Sequence, residues 1–320
     1  MHSFIPMRSI LIVILFVTVS MGAQAQQDPQ FTHNMFNHAF VNPGSYGLSD
    51  GITVTGIFRE QWVGFKDDQG NKVAPETFLL TGDSPVKFLR GGIGVGIAQD
   101  KEGFTKNMLV KLGYAYHLNI GNGKLGIGIN ANFNNKSIDQ TKFVVINEDD
   151  PTLSGLSSKG VMISDMSVGL FLQKPRYYIG LSSTQVFETK KSPATDAGII
   201  LYKNVRHYYL TGGHDIILPA FQGYVFTPSI FLKSDGNIIQ ADLNIMAKYN
   251  NKVWGGLTYR INEAVALMVG VAYKDIEIGY AYDIPTSRVA ATGSHEIMAR
   301  YRFKLEREKT RTGYRNTRYL

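Results

Sequence analysis

From Ile238 to Leu305 apolar residues alternate with small or polar ones, in segments of about ten residues, the length and period of a β-strand that crosses an outer membrane. Ile239, Ala241, Leu243, Ile245, Ala247 and Tyr249 share one face of the first segment, and Gln240, Asp242, Asn244, Met246 and Lys248 share the other. The pattern recurs with Val253, Leu257, Tyr259 and Ile261, then Val265, Leu267, Val269, Val271 and Tyr273. It continues with Ile276, Ile278, Tyr280, Tyr282 and Ile284, and with Ile297, Ala299, Tyr301, Phe303 and Leu305. One such strand fits a secreted β-sandwich equally well. Uninterrupted recurrence, with nearly every residue in a strand or tight turn, predicts an all-β transmembrane antiparallel barrel.

Read the same way, the whole chain gives about fourteen strands, an even number as single-chain bacterial barrels require. They fall at Ile52–Gly64, Glu76–Gly82, Gly91–Gln99, Asn107–Leu118, Lys124–Asn134, Val161–Lys174 and Arg176–Gln185. The second half holds Val205–Ile217, Phe221–Lys233, Ile238–Tyr249, Lys252–Ile261, Val265–Lys274, Ile276–Ile284 and His295–Leu305. The long connectors Lys66–Pro75, Asn135–Gly160, Val186–Asn204 and Pro285–Ser294 then leave from one end. Short periplasmic turns and longer external loops are the rule for such barrels, so the long set is expected outside, with both chain termini in the periplasm.

Arg8 precedes the apolar run Ile10 to Val19, which is too short to span a bilayer as a helix, and Ala23-Gln24-Ala25 supplies the small residues of a cleavage site. Residues 1–25 therefore read as a signal peptide. Residues 26–50 form an N-terminal segment, 51–305 the barrel and 306–320 a basic tail. In the segment, Phe31, Met35, Phe36 and Phe40 are spaced to share one side of a short helix that Asn42-Pro43-Gly44 would stop. That helix has three possible places: inside the lumen as a plug, on a periplasmic partner, or packed beneath the rim.

Composition adds exclusions. The 33 glycines suit curved strands with small inward positions, and 17 Tyr with 18 Phe suit two membrane interfaces. Cysteine is absent, which removes disulfides, thiolate nucleophiles and thiolate metal sites. Net charge is +7, which in another compartment would suggest nucleic acid; an exported chain does not meet it. Much of the excess lies in the tail, where Arg307, Lys309, Arg311, Arg315 and Arg318 face only Glu306 and Glu308. A basic periplasmic tail suits an acidic protein surface, and equally suits plain solvation or snorkelling near headgroups.

Arg260, Arg300, Arg302 and Lys304 alternate with lipid-facing residues, so they point into the lumen with Asp242, Glu277, Asp283 and Glu296. The simplest expectation is a watery lumen that solvates them; a selective pore or a network that anchors a plug are the alternatives. A watery lumen also predicts that a polar change at Met268 is mild while a charge at its neighbour Val269 is costly. Catalytic patterns are weak: His207, His214-Asp215 and His295-Glu296 are the tempting acid/base groups, without a Gly-x-Ser-x-Gly elbow or a His-Glu-x-x-His helix. The run Gly91-Gly92-Ile93-Gly94-Val95-Gly96 is strand alternation rather than a phosphate loop. Glu148-Asp149-Asp150 in the longest external loop has acids suited to calcium but no ligand framework. No cofactor is expected.

Gln27-Asp28-Pro29-Gln30-Phe31, Met35-Phe36-Asn37 and Asn42-Pro43 resemble the opening of the PorP/SprF family of Bacteroidetes outer-membrane proteins. Arg59-Glu60-Gln61-Trp62-Val63-Gly64, Ser137-Ile138-Asp139, Arg206-His207-Tyr208-Tyr209-Leu210-Thr211, Gln240-Ala241-Asp242-Leu243-Asn244, Gly279-Tyr280-Ala281-Tyr282-Asp283 and Gly293-Ser294-His295-Glu296-Ile297 follow in the family's order. Thr77-Phe78-Leu79-Leu80 represents the second-strand block only loosely. The resemblance implies a non-enzymatic barrel of about fourteen strands, laid out like fatty-acid transporters, in the type IX secretion and gliding-motility systems. It also implies partners: outer-membrane lipid, the C-terminal domain of a secreted adhesin or other cargo, and a periplasmic lipoprotein of the machinery. Candidate contact residues are Asn135, Glu148, Asp149, Asp150, Lys190 and Lys191 in the loops, and Arg307, Arg311 and Arg315 in the tail. A channel for small or apolar molecules is the competing function, and a hydrolase at the barrel rim is the third.

Overall fold

A computed structural model describes residues 28–66, 70, 73–138, 160–191, 202–286 and 292–304. Fourteen strands close into one antiparallel barrel. In chain order they are β1 (Gly51–Glu60), β2 (Glu76–Val86), β3 (Gly91–Glu102), β4 (Thr105–Ile120), β5 (Gly123–Ile138), β6 (Val161–Gln173) and β7 (Tyr177–Thr184). A two-residue hairpin of β8 (Lys190–Lys191) and β9 (Tyr202–Lys203) interrupts the wall. The wall resumes with β10 (His207–His214), β11 (Tyr224–Ser234), β12 (Ile239–Tyr249), β13 (Val253–Arg260), β14 (Ala264–Tyr273), β15 (Ile276–Pro285) and β16 (Ser294–Lys304). β16 closes on β1 with Gly51 opposite Lys304 and Glu60 opposite His295. Closure leaves no unpaired strand edge, which a bilayer does not tolerate.

The register keeps every alternation in phase. Ile245 lies opposite Leu257, Leu257 opposite Leu267, and Val269 opposite Tyr280. All of these side chains face outward and are exposed. Tyr116, Tyr177, Tyr224, Tyr249, Tyr273 and Tyr301 ring the end where β1 begins, as an interfacial girdle does. At that end the connectors are tight: Asn250 and Asn251, both left-handed, turn β12 into β13. The four long connectors leave from the other end, called here the loop end. β1 stops at Glu60 rather than running to Gly64, because Trp62 takes the left-handed conformation (φ 52°) and turns the chain out of the sheet.

The interior differs from a watery lumen. Residues 28–50 lie inside the barrel, and Phe31, Phe36 and Phe40 pack with Ile57, Leu79, Leu109, Met246, Trp254, Met268 and Met298 from the wall. Phe36 lies 4.8 Å from Trp254 between ring centroids, and Phe31 meets Phe40 edge-on at 5.9 Å. Each such buried side chain contributes roughly 1.5–3 kcal/mol, so the waist is a core rather than a passage. The expected continuous helix is absent. The segment makes separate single turns at Asn34–Phe36, His38–Val41 and Pro43–Ser45. Asn37 interrupts them at φ −135°, ψ 48°, and its Oδ1 accepts the Thr81 hydroxyl at 3.0 Å; packing inside a narrow tube outweighs helical spacing.

Tolerance at Met268 is corrected accordingly. Its side chain is 1 % exposed and lies in that core, so a polar replacement there is expected to cost about as much as an ordinary core change, ~2–5 kcal/mol. Val269, 59 % exposed on the lipid face, keeps its expectation: Val269→Arg should cost ~2–4 kcal/mol near mid-bilayer. Reversible unfolding in lipid or detergent measures both. Tolerance of Val269→Arg with loss at Met268 would place the belt elsewhere.

Candidate functional site

Two patches of the inner wall hold the N-terminal segment. The first lies toward the loop end and is built from charges. Glu296 on β16 and Asp283 on β15 face Arg59 on β1, whose guanidinium spans both at 3.1 and 2.8 Å. Arg260 on β13 joins Asp283 to Asp242 on β12, each at 3.2 Å. Three carboxylates meet two guanidiniums, all buried. The segment supplies the donors that remain to be matched. Glu296 accepts the backbone N–H groups of Thr32 and His33, both at 2.8 Å, and the His33 ring through Nδ1 at 2.7 Å. A carboxylate only accepts, so Nδ1 carries the proton. The Thr32 hydroxyl donates to Asp283 at 2.7 Å, and the Gln30 and Asn34 amides donate to Asp242 at 3.1 and 3.3 Å. Buried carboxylates are tolerable only with such complete pairing.

Beside it, Asp28 binds the start of the segment to β10 and β11. Its carboxylate accepts the Tyr209 hydroxyl at 2.8 Å, and its carbonyl accepts Lys233 Nζ at 2.6 Å. Asp28 thus lies near the loop end, opposite the end at which β1 begins. The segment runs the length of the lumen before the first strand starts. Gly51 starts at the turn end, whereas Asp28 lies near the loop end.

The second patch, on β3 to β7, is built from missing side chains. A Cβ on Gly128 would stand 2.2 Å from the Pro43 carbonyl carbon, one on Gly126 1.9 Å from the Gly44 oxygen, and one on Gly94 2.3 Å from the Tyr46 ring. Asn42-Pro43-Gly44-Ser45-Tyr46 lies in this bare channel. The Asn42 amide donates to the Leu170 and Leu181 carbonyls of the adjacent strands β6 and β7 at 2.9 and 3.3 Å, while its oxygen accepts Gly44 N–H at 2.9 Å. Between the patches, Lys111 donates to the Phe40 carbonyl at 2.9 Å and sits 4.1 Å over the Phe40 ring.

The other sequence candidates are distributed differently. Glu277 pairs with Lys248 at 3.3 Å and with Arg300, which also stacks on Phe36. Arg302 lines a cavity of about 530 Å³ at the turn end of the lumen, with Arg300 and Lys304. Asn135 is an exposed residue near the loop end of β5, and Lys190 and Lys191 are exposed on β8. Glu148, Asp149, Asp150, Arg307, Arg311 and Arg315 lie outside the described residues, as does the signal peptide expected at residues 1–25. His295 and Glu296 form no dyad: the ring bonds Tyr280 at 2.6 Å, and the carboxylate points into the lumen. His207 is buried, with Nδ1 at 2.9 Å from the Val205 carbonyl.

Sequence reasoning left Arg59, His33 and the wall glycines without a role. Arg59, Tyr209, Asp242, Asp283 and Glu296 come from five separate sequence blocks, and all five bond residues 28–34, Arg59 through the Thr32 hydroxyl. Scattered words that meet at one segment are the signal that could have found the site.

Acid should loosen this attachment. Burial lowers His38 to about 4, with the nearby Arg300 adding to it, so the released segment binds a proton there that the docked one refuses. Asp28 is held down at about 2: burial raises it, and His207, Lys111, Lys233 and the Tyr209 hydroxyl more than offset that. Both docked values lie below the free ones. Docking is therefore strongest above about pH 6.5, weakens as pH falls toward 4 through His38, and weakens further between about 4 and 2 through Asp28. The His38 share is at most ~3 kcal/mol, reduced because the ring is only half-buried at the cavity edge. Amide exchange of residues 28–50 across this range reads the effect, and pH-independent protection would refute it.

A closed fourteen-stranded barrel with an apolar belt, aromatic girdles and a filled lumen is an integral outer-membrane protein. The family model described as type IX secretion system membrane protein PorP/SprF matches residues 23–301, and the chain belongs to that family. No curated protein matches the sequence. Among solved structures, Acinetobacter baumannii outer membrane protein Omp33 is similar at 11 % identity and TM-score 0.45, over 80 % of this chain and 100 % of that one. A TodX monoaromatic hydrocarbon channel deletion mutant is similar at 11 % identity and TM-score 0.47, over 87 % and 95 %.

Proposed function

We propose that this barrel is a non-enzymatic docking component of type IX secretion, which supports export and surface anchoring of a secreted protein such as an adhesin and couples it to periplasmic machinery. One observation carries the reading: residues 31–40 form a hydrophobic core with the wall at the waist, so the working surfaces are the two ends. A channel needs a continuous polar or apolar path, and the Phe36–Trp254 contact stands in the waist where such a path would run. The long connectors at the loop end are the external surface, with Asn135, Glu148, Asp149, Asp150, Lys190 and Lys191 as contact residues. The turn end faces a periplasmic lipoprotein, with Arg307, Arg311 and Arg315 of the tail toward it. Stable protein interfaces need ~800 Å² per partner, which tight turns do not supply.

Shortening either connector, the first only within 139–159 because residues 135–138 are paired in β5, the second within 186–204, is expected to abolish secretion or surface retention of the cognate protein while barrel assembly survives, since wall hydrogen bonds are then untouched. A cysteine at Lys190 should react with an impermeant reagent on intact cells, and one at Asn251 should stay silent. Normal secretion from a strain lacking the protein, with impaired uptake of an apolar nutrient, would decide for a channel.

A further inference from the structure

At the turn end, the connector Lys87–Arg90 between β2 and β3 stands beside the ends of β4 and β5. A notch of about 490 Å³ opens there, lined by Lys87, Arg90, Tyr116, His117, Leu118 and Lys124 among others. Lys87, Arg90 and Lys124 have no acidic partner among the described residues, and no carboxylate lines the notch. Two other cations at this end do have carboxylate partners, Lys248 in Glu277 and Lys304 in Asp275. Three unmatched cations around one hollow attract an anion.

Two further features narrow its chemistry. Arg90 holds a left-handed backbone (φ 53°), a conformation that glycine adopts more easily than any residue with a side chain. Its N–H donates to the Lys87 carbonyl and its own carbonyl accepts His117 N–H, both of which glycine would do without the strain. The turn therefore does not itself use the side chain, and the guanidinium is left to line the notch. Phe88, at 84 %, is the most exposed large apolar residue among the described ones, with Leu89 exposed beside it and Tyr116 and Leu118 continuing into the lipid-facing belt. The surroundings of the anion are thus apolar on the side that meets the bilayer. A soluble peptide or free phosphate has no use for that half.

We infer that this notch is a binding site for an anionic phospholipid, whose phosphate is held by Lys87, Arg90 and Lys124 while an acyl chain lies along Leu118 and Tyr116. Basic side chains at a bilayer surface attract anionic headgroups additively, and an interfacial aromatic aligns the glycerol level. The lipid would fix the β2–β5 side of the barrel at a set depth.

The full chain, purified and exchanged into mixed phosphatidylglycerol and phosphatidylcholine, is stripped with detergent and its retained lipid identified by native mass spectrometry. Wild type should keep phosphatidylglycerol preferentially. The Lys87→Gln, Arg90→Gly, Lys124→Gln variant should lose that preference by about tenfold or more. Arg90→Gly relieves backbone strain, and heat-modifiable gel mobility reports that the barrel is intact. Lys252→Gln, a rim cation outside the notch, should leave the preference unchanged. Equal retention of both lipids by wild type, or an unchanged preference in the triple variant, overturns the site. Full displacement of phosphatidylglycerol by inorganic phosphate would reassign the notch to a soluble anion and overturn it too.

Discussion

Glu296→Ala is expected to release the N-terminal segment from the wall without opening the barrel. The carboxylate accepts two backbone N–H groups and the His33 ring, and it neutralises Arg59. Its removal leaves these donors buried without a partner; breaking one side of a buried charge pair costs ~3–5 kcal/mol. Wall hydrogen bonds between β1, β15 and β16 are main-chain bonds and survive. Amide exchange of residues 28–40 should therefore accelerate by roughly 10²–10³-fold, while exchange in the strands stays at its wild-type rate. Glu296→Gln keeps an acceptor and loses the charge, so it should fall between the two. Unchanged exchange in Glu296→Ala would show that apolar packing alone holds the segment.

The two faces of the wall were unequally legible in the sequence. Lipid-facing positions such as Leu243, Leu257 and Val269 declare themselves, because a bilayer demands apolar side chains at every second residue. Inward positions carry no comparable rule. Gly128, Met268 and Asp242 alternate with them equally well, yet one accommodates a backbone, one packs in a core and one is a buried anion. Whether an inward residue meets water or a plug depends on a segment far away in the chain, 208 residues in the case of Asp242 and Asn34, and strand periodicity does not encode that partner. Residues 31–40 show the same limit from the other side. Their spacing suits a helix, and the lumen imposes three separate turns because the Asn37 and Asn42 side chains are also tied to the wall, at Thr81, Leu170 and Leu181.

The glycine patch provides the sharpest separation of plug from barrel. Gly128→Ala adds one methyl group, which in an empty lumen would meet nothing costly. With the segment docked, that methyl stands 2.2 Å from the Pro43 carbonyl carbon and 2.3 Å from its oxygen, both backbone atoms that cannot rotate away. Pro43–Gly44 must move off the wall, and Asn42 then loses its bonds to Leu170 and Leu181. Overpacking of this kind costs ~1–3 kcal/mol or more, and the lost hydrogen bonds add about 1 kcal/mol. The expected result is faster exchange in residues 42–46 and lower resistance to denaturant, with the barrel's gel mobility retained. The decisive comparison is a cycle with a chain lacking residues 28–48. If the cost arises from the docked segment, Gly128→Ala becomes neutral there, to within the ~0.5 kcal/mol of ordinary additivity. An equal loss in both backgrounds would instead assign the glycine to the curvature of β5 itself.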